Sequence, residues 1–110
     1  MTIENPNTVD GLGISKLDGK VVLTISDHLD WDDLQAHVRI LASKLETYIA
    51  FASSGDLEKT IVDARNRGKR IELIHKYALT PKAVEYLTSI SDQLDSIEME
   101  FTYSSLPLGY

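Results

Sequence analysis

The sequence predicts an α+β fold, a two-layer sandwich in which a four-stranded sheet carries two main helices on one face. Three observations point there. Residues 31–53 and 81–94 carry apolar positions at helical spacing, whereas KVVLTIS, KRIELIHKY and the stretch 97–103 alternate apolar and polar residues in the manner of half-buried strands. An Asp-Gly pair at 18–19 sits between two strand-like segments, which announces a hairpin. The expected order is therefore β-β-α-β-α-β, starting with an N-terminal β-hairpin, with the order of strands in the sheet left open.

Taken along the chain, residues 1–8 are polar around Asn5-Pro6-Asn7 and are expected to form a loose leader. The opening MTIENPNTVDG lacks the basic-then-apolar pattern of a secretory signal. A single domain is expected over 9–103, followed by a tail at 104–110. The first strand is expected over Val9–Leu17, weakened by Gly11 and Gly13. Asp18-Gly19 suits a two-residue type I′ turn, in which both central residues take positive φ. The second strand puts Val21, Leu23 and Ile25 on one face. In the first helix Leu34, Val38, Leu41, Leu45, Tyr48 and Ala52 are spaced 4, 3, 4, 3, 4 and mark the inner stripe, and Gly55 offers a left-handed cap. Asp56 to Gly68 is ambiguous, since Leu57, Ile61 and Ala64 fit a short helix while Thr60-Ile61-Val62 fits an extended piece. Ile71, Leu73, His75 and Tyr77 share one face of the third strand. Thr80-Pro81 supplies an N-cap hydroxyl and a first-turn proline for the second main helix, whose inner stripe is Ala83, Leu87, Ile90 and Leu94. Ile97, Met99, Phe101 and Tyr103 alternate with Glu98, Glu100 and Thr102 in the last strand. The sheet's other face, with Thr24, Glu72, Lys76, Glu98, Glu100 and Thr102, suits water.

The stretch SDHLDWDD packs four aspartates, a histidine and the only tryptophan into eight residues. Helix capping accounts for most of it. With Asp30 as N-cap, Asp32 and Asp33 fall in the first turn at the positive end of the helix dipole, and Leu29 and Leu34 are spaced as a hydrophobic staple. Trp31 is then packing, and Asp27 and His28 remain unexplained. A metal or acid–base site is the competing reading, joined by His75 or His37. Against it, neighbouring residues at a strand end face opposite ways, and no HExxH or calcium-loop spacing is present.

Composition narrows the function classes. The chain has 110 residues, formal net charge −6 and no cysteine. That rules out disulfides and thiolate metal sites and fits a reducing cytoplasm. No apolar run approaches the length of a membrane span. The negative charge disfavours nucleic acid, and the cluster Arg65, Arg67, Lys69 and Arg70 reads as solvation. No nucleophile elbow, P-loop or dinucleotide fingerprint occurs, and no cofactor is expected.

Val9-Asp10, Gly19 to Trp31, Tyr48 to Phe51 and Ser54-Gly55 together resemble a family of small bacterial proteins of unknown function with a GKVVLTISDHLDW-type motif. The resemblance extends over Val9 to Tyr103. It implies a bacterial, soluble, stand-alone domain and carries no catalytic residues with it.

The expected function is non-enzymatic: a small acidic protein acting through protein contacts, in an immunity- or antitoxin-like manner. Asp27, His28, Asp30, Trp31, Asp32 and Asp33 are the candidate partner-binding residues, with the tail residues Leu106, Leu108 and Tyr110 available for a protein partner or self-association. Two alternatives stand beside it. One is a small metal-dependent enzyme using Asp27, His28 and His75; the other is a ligand-binding module with a pocket lined by Trp31, Tyr48 and Tyr77.

Overall fold

A computed structural model describes Ile3 and residues 9–106. The fold is α+β. Strands β1 (Gly11–Ile14), β2 (Val21–Asp27), β3 (Lys69–His75) and β4 (Met99–Ser105) form one sheet in the order β1-β2-β3-β4. Helix α1 (Leu34–Ser53) and the short α2 (Asp56–Thr60), with a 3-10 turn at Val62–Ala64, link β2 to β3; α3 (Pro81–Asp95) links β3 to β4. The β1–β2 pair is antiparallel and the other two are parallel. Parallel neighbours need a long crossover, and the helical links supply one each. The ambiguous segment after Gly55 is a short α-helix and a 3-10 turn separated by an extended Ile61 (φ −128°, ψ 105°).

The core lies between the sheet and the helices. Val21, Leu23 and Ile25 of β2, Ile71 and Leu73 of β3, and Met99 and Phe101 of β4 face it, against Leu41, Leu45 and Tyr48 of α1 and Ala83, Leu87, Ile90 and Leu94 of α3. The inner stripe of α1 is rotated slightly from the expected one. Its buried positions are His37, Leu41, Lys44, Leu45, Tyr48 and Ala52, while Leu34 and Val38 lie at its half-buried margin.

Local chemistry explains most boundaries. Thr80 caps α3 by accepting the N–H of Ala83 at 3.1 Å, with Pro81 in the first turn. Gly55, at φ 92°, stands between α1 and α2 in the left-handed region. The hairpin turn differs from expectation. Only Gly19 takes positive φ (72°), and the loop Lys16–Gly19 is closed by Ser15 N–H donating to Lys20 O at 2.9 Å. Asp18 stays out of the left-handed region because its carboxylate accepts the Lys20 N–H (3.1 Å) and a guanidinium N–H of Arg70 (2.7 Å). The last strand also begins later than its alternation suggests. Glu98 adopts φ 61° after α3 unwinds, which turns the chain and leaves Ile97 half exposed before β4.

The cap of α1 is a second correction. Asp33, not Asp30, is the N-cap: its Oδ1 accepts the N–H of Ala36 at 3.2 Å, and the helix starts at Leu34. Asp30 instead closes its own turn on the N–H of Asp32 (3.1 Å), so Leu29 and Leu34 are not in staple register. Bringing Trp31 into the interior takes residues 30–32 off the helical path. Asp33→Ala is expected to cost about 1 kcal/mol, against a few tenths for Asp32→Ala. Urea unfolding of the two variants checks this.

Candidate functional site

The end of β2 and the start of α1 form a staircase of three aspartates, each bonded to a nearby backbone N–H. Asp27 Oδ1 accepts from Leu29 at 3.1 Å, Asp30 from Asp32, and Asp33 from Ala36. Asp30, Asp32 and Asp33 face solvent, as does His28. Asp27 points the other way, as the alternation of a strand end requires, and is 2% exposed.

Inside, Asp27 meets His37. Nε2 of His37 lies 2.5 Å from Asp27 Oδ2, and its Nδ1 lies 2.8 Å from the carbonyl oxygen of Asp30. A carbonyl cannot donate, so Nδ1 carries a proton; a second proton, on Nε2, would be donated to Asp27 Oδ2, so the contact favours the charged ring. Burial alone would push the His37 pKa down; the hydrogen bond and charge of Asp27 outweigh it, and the net displacement is upward. Trp31 closes the pair from above. Its ring is stacked on His37 with centroids 3.7 Å apart and planes 11° from parallel. Both oxygens of Asp27 and both nitrogens of His37 are thereby engaged.

A second buried pair lies two helical turns further along α1. Lys44, with its side chain fully buried, places Nζ 2.8 Å from Asp10 Oδ1. The other Asp10 oxygen accepts the N–H of Ser26 at 3.0 Å. This substitutes for the backbone of β1, which pairs with β2 only as far as Gly11 opposite Thr24. Tyr48 completes the group: its hydroxyl donates to Thr24 O (2.5 Å) and accepts from Asp10 N–H (2.7 Å). Burial holds that hydroxyl far above the ordinary phenol value, so it stays a neutral donor.

The other expected site residues are dispersed. His75 stands opposite Asp27 in the β2–β3 register and is 7% exposed, but its Nδ1 donates to Tyr77 O at 2.9 Å and its ring is tilted against Tyr103. Trp31 and Tyr48 are closed into the core, whereas Tyr77 lies at the surface with Lys76 over its ring. These three rings therefore wall no common pocket. Of the basic cluster, Arg67 donates to Asp63 O and Gly19 O, Lys69 pairs with Glu58, and Arg70 bridges Asp18 and Glu100. Within the leader, Ile3 is fully buried and donates its N–H to Ser26 O at 3.0 Å. Leu106 extends the β4 pairing by donating to His75 O, while Leu108 and Tyr110 lie outside the described residues. Among the described residues, no group of three or more histidines and carboxylates is placed to hold a metal ion, and no helix is long and apolar enough to cross a membrane.

Sequence reasoning missed Lys44, named Asp10 only within the family resemblance and gave it no structural role, and left His37 without its partner. One signal was available. A stripe drawn through 37, 41, 44, 45, 48 and 52 follows helical spacing as well as the chosen one and puts a lysine and a histidine on the buried side. Ionisable residues there require buried partners of opposite charge.

The fold and these two closed pairs define a small α+β domain whose interior charges are consumed by its own architecture, under an acidic rim at the helix start. The chain belongs to a family of unknown function, DUF6572, which matches residues 1–106. No curated protein and no solved structure matches it.

Proposed function

We propose that the protein is a non-enzymatic, acidic binding domain of the bacterial cytoplasm, acting on a basic protein partner in the manner of an immunity or antitoxin protein. The observation that carries this reading is the division of labour within SDHLDWDD. Asp27 and Trp31 are withdrawn into the interior, 2% and 4% exposed, where they brace His37. They thereby leave the contact surface to His28, Asp30, Asp32 and Asp33. Two of those carboxylates are fixed by their own backbone bonds, so a partner meets a pre-ordered negative surface with little conformational entropy left to lose.

The metal-enzyme alternative has less support, because Asp27 has both oxygens engaged and His28 points away from it. A small ligand would find its apolar hollow elsewhere. A groove of about 350 Å³ runs between α1 and α3, lined by Leu45, Ile49, Tyr86, Ile90 and Leu94.

The test is capture from the native host with immobilised protein, comparing wild type with Asp30→Lys/Asp32→Lys. A basic protein is expected on the wild type and absent from the variant. Its association rate should fall about tenfold between low and physiological salt. Capture unaffected by the charge reversal, or no protein captured, would defeat the reading.

A further inference from the structure

The two edges of the sheet are built differently. β1 is four residues long, carries Gly11 and Gly13, and hands over to the Asp10 side chain at its start. β4 is seven residues long, lies at the other end of the sheet order, and among the described residues has no strand beyond it. Leu106 N–H reaches His75 O, which fixes the parity: the backbone groups of Glu100, Thr102 and Ser104 point to β3, and those of Met99, Phe101, Tyr103 and Ser105 point to the open edge. Soluble proteins guard such edges with charge, proline or a bulge. The sole charge within β4 is Glu100, and its carboxylate is drawn off to Lys20 (3.3 Å) and Arg70 (3.1 Å).

We infer that β4 pairs antiparallel with β4 of a second copy, about a two-fold axis at Thr102, to give one continuous eight-stranded sheet. The strand is self-complementary in that register. Phe101 falls opposite the second copy's Tyr103 and Met99 opposite its Ser105, and all four residues have their backbone groups turned to the edge, which yields about eight hydrogen bonds across the axis. Tyr103, 36% exposed in the single chain, is covered by the second copy's Phe101 in an aromatic cross-strand pair. Glu100 falls opposite Ser104, so no like charges meet. At the axis, Thr102 faces itself in a non-hydrogen-bonded pair, where side chains approach most closely. Its hydroxyl is buried in the single chain without a hydrogen-bond partner. Rotation about its Cα–Cβ bond brings the hydroxyl to the other Thr102. Neighbouring registers do worse. An axis at Phe101 requires Glu98, at φ 61°, to lie in the strand, and an axis at Tyr103 sets Met99 against Pro107, which has no N–H. This surface shares no residue with the acidic rim, so failure of either proposal leaves the other intact.

Sedimentation equilibrium of the whole chain tests the inference, with the expectation of a species at twice the 12.3 kDa chain mass. Because the chain has no cysteine, Thr102→Cys supplies a single thiol at the axis. It should oxidise readily to a covalent dimer, whereas Leu17→Cys, 98% exposed in the β1–β2 loop and off the proposed axis, should not. Tyr103→Pro removes an edge-facing N–H and spares the β3–β4 ladder, so it should be folded by circular dichroism and monomeric by sedimentation equilibrium. Thr102→Lys leaves the backbone alone and sets two ammonium groups across the axis, weakening the dimer about tenfold or more. A wild type that stays monomeric at high micromolar concentration overturns the inference. So does a dimer insensitive to both Tyr103→Pro and Thr102→Lys, or cross-linking of Thr102→Cys no faster than that of Leu17→Cys.

Discussion

Asp10→Ala is expected to lower the unfolding free energy by about 3–5 kcal/mol, the largest effect of any single truncation outside the apolar core. The carboxylate and the ammonium of Lys44 are both essentially out of water and 2.8 Å apart. Removing one leaves the other charge buried with its main counterion gone. The Ser26 N–H loses its acceptor at the same time. Because Asp10 stands where β1 gives out, the loss also releases the edge strand from α1. Replacing both partners is a different matter, since a buried ion pair exchanged for groups of similar shape is often near neutral. The double variant Asp10→Asn/Lys44→Met is therefore expected to recover at least half of the loss. Urea unfolding of Asp10→Asn, Lys44→Met and the double variant, beside the wild type, forms a mutant cycle. Additive single effects, or a cost below about 1 kcal/mol for Asp10→Ala, would show that the pair is not coupled as its geometry requires.

The contrast between what was legible and what was not has a physical cause. Strands β2 and β3 and helix α3 follow from periodicity, because apolar residues at strand or helix spacing have one face to bury. Thr80-Pro81 and Gly55 mark helix ends by local chemistry that needs no tertiary context. Asp30, Asp32 and Asp33 read as helix-launching residues, with Asp27 unexplained; in the fold Asp33 caps the helix, Asp30 closes the turn before it, and Asp27 turns inward to His37. Which of them caps the helix depended on Trp31, whose burial delays the helix until Leu34, and no local pattern carries that information. The two charge pairs were hidden for a similar reason. Asp10 and Lys44 are separated by 34 positions and Asp27 and His37 by 10, and what joins them is the packing of α1 across β2. A lysine on a helix is ordinarily taken as solvent-facing. Here Lys44 lies on the stripe facing the sheet because the end of β1 delivers a carboxylate to it.

The Asp27–His37 pair makes stability depend on pH in a stated direction. His37 is raised above the ordinary imidazole value of 6.5 when folded, so the folded state holds its proton more tightly than the unfolded chain does. The stabilisation is therefore complete below that ordinary value and is lost as pH rises through the raised one. On this ground Asp27→Asn is expected to cost about 2 kcal/mol near pH 6, the scale of a hydrogen bond to a charged group, and progressively less as pH rises through the raised value. The variant should also flatten the wild-type decline across that window. Trp31 gives an independent reading, because it is the only tryptophan and lies flat on the ring. A protonated imidazole against an indole face is held by cation–π attraction and quenches its emission. Fluorescence of the folded protein should accordingly brighten as His37 loses its proton, with the same midpoint as the stability change, and the step should shift to lower pH in Asp27→Asn. Stability that is level or rising through this window, or an emission step indifferent to Asp27, would mean that the proton between these two side chains is not what joins β2 to α1.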